Sequence, residues 1–273
     1  MKDAEELLRE YIELVTEKAV TPAEARKQKL ALYVGKSVMS GQSADRTYIL
    51  YDVNKLADIV NKTKNTDNAM YRKFSDAVVA AIAVRSNLPI GMNAWGASEI
   101  EFSAAEQGYG PLLYDIVMKE EEGLISDRDS VSSAAKGVWK YYKNNRSDVE
   151  AKPLDNMLSP ETPTKKDDAI VFDGGKKNPL NYAYFLKGGG PAVTMLKNNH
   201  AAFMKTQPSI KGGRLCGRSF IAGSSASATW KYCTKVKGHK GNHGFETKKI
   251  SDAKISNRDF DEIADEFFHK KYG

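Results

Sequence analysis

The stretch Ser98–Gly123, SEIEFSAAEQGYGPLLYDIVMKEEEG, constrains this chain more than any other. Ser98 to Ser103 alternates polar and apolar side chains, the pattern of a strand buried on one face. Gly108 and Gly110 then permit unusual backbone angles or a close approach of the main chain to another group. Pro111 suits the first position of a helix, where its missing N–H costs nothing. Leu112, Leu113, Ile116 and Val117 recur at helical spacing, and Gly123 stops the helix. A strand that feeds a glycine turn and a helix start is a ready anion site. The unpaired N–H groups point outward, and the helix dipole favours negative charge. The N–H groups of Gly108, Tyr109, Gly110 and Leu112 are therefore expected to line a pocket sized for a pyrophosphate.

The flanking pattern predicts a mixed α/β core over residues 30–150. Leu30 to Val34 and Thr47 to Asp52 read as strands, and Asn54 to Asn61 reads as a short helix. Ala77 to Arg85 is a continuous apolar run rich in Val and Ala, which suits a central strand buried on both faces. After Gly123, Leu124-Ile125-Ser126 is a short strand. Ser130 or Ser132 can cap a second helix whose apolar face holds Val138, Trp139 and Tyr142. Residues 1–29 read as a helical arm, either a docking segment or a packed helix pair. Residues 151–179 hold four of the nine prolines and few large apolar side chains, which suits a linker or surface loop. Residues 180–210 extend the core by a strand and a helix, and residues 251–273 close with a helix.

The six residues Ala105-Glu106-Gln107-Gly108-Tyr109-Gly110, with this element order, resemble the GNAT acyltransferase superfamily. Those enzymes hold the pyrophosphate of acyl-coenzyme A on a loop written Arg/Gln-x-x-Gly-x-Gly/Ala, between a central strand and a helix. Both glycine positions match here, and Ala105 departs from the first. The resemblance implies a GNAT-like mixed central sheet flanked by helices, binding acetyl-CoA or another acyl-CoA through Phe102, Ser103, Gln107, Gly108, Tyr109, Gly110 and Leu112. It also implies a general-base glutamate on the strand, which the pattern places at Glu99, with Glu101 two residues on as the alternative. It further implies a tyrosine on the later helix that protonates the leaving thiolate, for which Tyr141 and Tyr142 are the candidates. The segments GYGPLLYD, SDRDSVS and LNYAY are similar to uncharacterised tailed-phage proteins, which implies a phage accessory protein or particle component.

Both cysteines and two of the four histidines fall in the segment 211–250, as Cys216-x16-Cys233-x5-His239-x3-His243. Two thiolates and two imidazoles suit tetrahedral zinc, and four protein ligands leave no open position, so such a zinc is structural. CTKVKGHKGNH resembles the short zinc knuckles of phage and bacterial proteins. The alternative is two free thiols and two surface histidines in a basic loop. Two cysteines cannot form a disulfide framework, which fits a cytoplasmic setting.

Composition narrows the function classes without choosing among them. Charged residues make up 28% and hydrophobic residues 41%, as in soluble globular proteins. No apolar run approaches the ~20 residues that span a bilayer, and the acidic, amphipathic start is unlike a signal peptide. The net charge of +6 fits a Lys-rich surface or an acidic partner. Three classes follow: an acyl-CoA-dependent N-acyltransferase acting on an amine acceptor, a non-catalytic scaffold with a zinc knuckle, and a nucleic-acid binder using the basic segments at 211–214 and 235–240. Aromatic side chains for base stacking are scarce near those segments, with Trp230 and Tyr232 the exceptions.

Overall fold

The computed structural model describes residues 28–36, 44–63, 70–88, 94–128, 130–154, 172, 174–188, 193–208, 219–222, 229–232 and 254–272. The helices expected in the N-terminal arm, the hairpin loop at 40–43, most of the 151–179 segment and all four zinc-ligand candidates lie outside these residues.

Seven strands form one mixed sheet: β1 (Leu30–Lys36), β2 (Arg46–Asp52), β3 (Val78–Arg85), β4 (Ser98–Ala105), β5 (Leu124–Ile125), β6 (Val149–Pro153) and β7 (Tyr182–Leu186). Their spatial order is β1-β2-β3-β4-β5-β7-β6. Neighbours are antiparallel except β4 and β5, which run parallel. A separate hairpin, β8 (Ser219–Ala222) with β9 (Thr229–Tyr232), falls inside the segment read as a zinc knuckle.

Two boundaries differ from the sequence reading. The core does not close at residue 150, because β6 runs on to Pro153 and pairs along its length with β7. β7 in turn sits between β5 and β6, so the strand read as an extension is an inner member of the sheet. Its alternate residues Tyr182, Tyr184 and Leu186 pack with the same core as Val149 and Leu124. Local composition could not show this, since a linker-like stretch separates two strands that pair.

Helices cover both faces. α1 (Val53–Lys62), α2 (Met70–Phe74) and α6 (Asn257–Tyr272) pack on one face; α3 (Gly110–Glu120) and α4 (Ser133–Asn145) pack on the other. Asp52 caps α1 by accepting from the N–H groups of Asn54 at 2.8 Å and Lys55 at 3.0 Å. Ser132, one of the two serines proposed, caps α4 by accepting from Ala135 N–H. α5 (Val193–Thr206) covers the edge strand β1: Asn199 Nδ2 donates to Leu30 O at 2.8 Å. Covering a sheet edge in this way removes a template for pairing with another chain.

β4 departs from simple alternation. Ala83 faces Phe102 and Val84 faces Ile100, so Glu101 is an extra residue in the register. This β-bulge switches which side each residue occupies. Ile100 belongs to the α3–α4 core, while Phe102 and Ala104 belong to the α1–α6 core. The strand is therefore covered on both faces, not on one.

Candidate functional site

The parallel pairing of β4 with β5 covers only two positions, Ser98 with Leu124 and Glu99 with Ile125. β4 then continues to Ala105 while β5 ends at Ile125. From Ile100 onward the outer edge of β4 faces no strand among the described residues. The carboxyl end of β4 is thus left with an open edge that no strand among the described residues pairs, the kind of place where ligands bind in open α/β sheets.

The glycine turn follows this edge. Gly108 holds a φ of 92°, a left-handed angle that strains any other residue except Asn or Asp. α3 starts at Gly110 with Pro111 in its first turn, and its N-cap, Tyr109, supplies no side-chain cap. Tyr109 N–H, expected to face the pocket, instead donates to Glu106 O at 3.1 Å, and Leu113 N–H closes the first helical turn on Tyr109 O at 3.0 Å. Among the described residues, the N–H groups of Gly108, Gly110 and Leu112 meet no acceptor. A Cβ at Gly110 would touch only Ala105 Cβ, at 3.8 Å. Gly110 is therefore not required by the fold, and its lack of a side chain leaves the approach to the helix start clear.

Side chains behind the turn fix its position. Tyr109 buries its ring in the core and its hydroxyl donates to Gln28. Tyr114 Oη lies 2.8 Å from Ser103 Oγ. Tyr142 is fully buried; its hydroxyl donates to Asp115 Oδ1 at 2.6 Å and lies 3.0 Å from Pro111 O. Arg146 Nη1 reaches Asp115 Oδ2 at 2.9 Å, and its other nitrogens grip Asp148 in a bidentate pair. Tyr142 is thus a packing residue that holds α3 to α4. Tyr141, its neighbour, is half-buried with its ring centroid 6.4 Å away.

Burial pushes the Asp115 carboxyl up to about 6, against the opposing pull of Arg146 and Tyr142. A carboxyl with a higher pKa folded than unfolded binds more protons in the folded state, so it stabilises most at low pH. Stability from this group is expected to fall as pH rises from about 4 through 6. Urea unfolding at a series of pH values checks this: Asp115→Asn should flatten that part of the profile. An unchanged slope would contradict the assignment.

The two candidate bases occupy different settings. Glu99 is 3% exposed. Its Oε2 pairs with Arg85 Nη2, and its Oε1 accepts from Arg128 N–H at 2.8 Å. Glu101, at the bulge, lies 3.5 Å from Arg85 Nε through Oε1. Arg85 thus joins both glutamates. The sequence reading missed it, although an Arg that ends a buried Val/Ala strand needs carboxylate partners and these two were near at hand. The turn after β5 is more buried than a surface corner: Arg128 donates to Ser126 Oγ at 2.6 Å and to Leu180 O, and its guanidinium lies over the Phe172 ring.

Phe102 points to the α6 side, Leu112 is buried, and Gln107 is exposed. Among the described residues, no group of His, Cys, Asp or Glu side chains could hold a metal ion, and no helix is long and apolar enough to cross a membrane. No family model, no curated protein and no solved structure matches the chain.

Proposed function

We propose that the chain is a GNAT-like N-acyltransferase, moving an acyl group from acyl-CoA to an amine. The observation that carries this reading is the edge of β4, unpaired beyond its short parallel pairing with β5, leading into the glycine turn and the start of α3. That geometry offers backbone donors for a pyrophosphate and, next to them, a strand edge that no other described strand pairs, suited to an extended arm. Apart from the short α2, the order of strands and helices from β1 to α4 is also the one the resemblance implies.

In this reading the amine attacks the thioester carbonyl, the C–S bond breaks, the amine nitrogen gives up a proton and the thiolate gains one. Of the two glutamates, Glu101 is the better placed base. Glu99 is the more deeply enclosed and meets a donor at each oxygen, whereas Glu101 stands at the bulge with a less enclosed side chain. Tyr141 is the thiolate's proton donor, and Tyr142 is excluded from that role by its burial and its bond to Asp115. The zinc on Cys216, Cys233, His239 and His243 belongs to the same proposal as a structural staple for a segment with few large apolar residues. The scaffold reading has one observation in its favour, the Ala at position 105 in place of Arg or Gln.

Gly110 gives the test. Gly110→Val adds bulk at the helix start, while Gly110→Ala fits the space there. Losing one charge-assisted hydrogen bond of about 1.5–3 kcal/mol lowers affinity at least tenfold. Acetyl-CoA should raise the melting temperature of the wild type and of Gly110→Ala and shift Gly110→Val far less. Equal shifts in all three would contradict a phosphate site at this turn.

A further inference from the structure

The last turn of α6 reaches across to β4 and the glycine turn, and it does so with polar anchors. Lys270 Nζ pairs with Asp76 at 2.6 Å, and Lys271 Nζ pairs with Glu106 at 2.9 Å, immediately before the glycine turn. Tyr272 goes further: its hydroxyl donates to the main-chain carbonyl of Ser103 on β4. Ser103 lies in the part of β4 that has outrun β5. The Tyr272 ring stacks on Phe268 and meets Phe102 edge-on, yet the residue is 58% exposed, the one large hydrophobic side chain so placed among the described residues.

We infer that Tyr272 is a latch on the open edge of β4, holding the Ser103 carbonyl until an extended, amide-bearing ligand chain displaces it. The inference rests on the acyl-CoA reading, since the amide-bearing arm of that coenzyme is the chain that would enter. A strand edge binds such a chain through its own N–H and C=O groups. On the outer edge of β4 the Tyr272 hydroxyl competes with a ligand N–H for the Ser103 carbonyl. Burial raises the Tyr272 phenol above its ordinary value, and the Asp127 carboxylate, on the segment leaving β5, adds to the rise. The hydroxyl therefore keeps its proton at neutral pH and remains a donor. Both lysine pairs use half-exposed carboxylates, so the turn is held by contacts that water and salt can compete for.

Tyr272→Phe keeps the ring packing and removes only the donor. With no latch to displace, coenzyme A should bind about two- to tenfold more tightly, the worth of one ordinary hydrogen bond. Calorimetry with coenzyme A on both proteins reads this directly, and thermal melting confirms that the variant is folded. Hydrogen exchange gives a second readout: on adding coenzyme A to the wild type, amides near residue 272 should exchange faster while those of β4 slow. Wild-type binding with equal or weaker binding by Tyr272→Phe, or with no change near residue 272, overturns the latch alone. No binding of coenzyme A by either protein overturns the acyl-CoA reading and the latch with it.

Discussion

Glu101→Gln is expected to slow amine-dependent thiol release from acetyl-CoA by a factor of about 10²–10⁴, the usual worth of a general base. Coenzyme affinity should stay within about twofold, because the proposed base lies on the strand and the proposed phosphate site at the turn. Glu99→Gln should behave differently. It takes a negative charge away from Arg85, whose Nε lies 3.5 Å from Glu101 Oε1. Removing one partner of a fully buried pair costs about 3–5 kcal/mol; Arg85 is partly exposed and keeps Glu101, so a loss of about 1–3 kcal/mol is expected. The two variants thus separate chemistry from stability. A folded Glu99→Gln protein without activity, beside a fully active Glu101→Gln, would move the base to Glu99.

The second large effect lies in the core. Trp139→Ala should destabilise the protein by about 3–5 kcal/mol, as removal of a buried Trp does when the cavity cannot collapse. Trp139 is enclosed by rings from three elements: Tyr114 of α3 at 5.3 Å, Tyr142 of α4 itself at 6.1 Å and Tyr184 of β7 at 4.9 Å between centroids. Its place ties the helix of the glycine turn to the inner strand that flanks β5. Against a typical total of about 5–15 kcal/mol, the loss is large. Urea unfolding measures it, with Trp139→Phe as a milder control. A loss below about 1 kcal/mol would mean that the three elements do not depend on this ring.

Much of the fold was legible where local pattern decides structure. The Val/Ala run of β3, the Pro-started α3 and the apolar face of α6 each announce themselves in sequence and lie where the pattern places them. What long-range pairing decides was not legible. Nothing local says that β7 inserts between β5 and β6, because that order follows from which hydrophobic faces meet after the chain has returned. The bulge at Glu101 was hidden for a related reason: the alternation of Ser98–Ser103 reads the same with or without one extra residue in the register. Tyr109 N–H does not point outward as expected, because the turn closes on itself through Glu106 O. Tyr272 was out of reach altogether, since 169 residues separate it from the carbonyl it holds.

The account stands on the open edge of β4 and the glycine turn as a coenzyme site. Titration of the wild-type protein with acetyl-CoA in a calorimeter tests it most directly. The account predicts one-to-one binding that weakens as salt rises, because the ligand's phosphates meet backbone dipoles partly exposed to solvent. Absence of any binding heat at about millimolar ligand, where even a site worth only about 4 kcal/mol would fill by half, would contradict it.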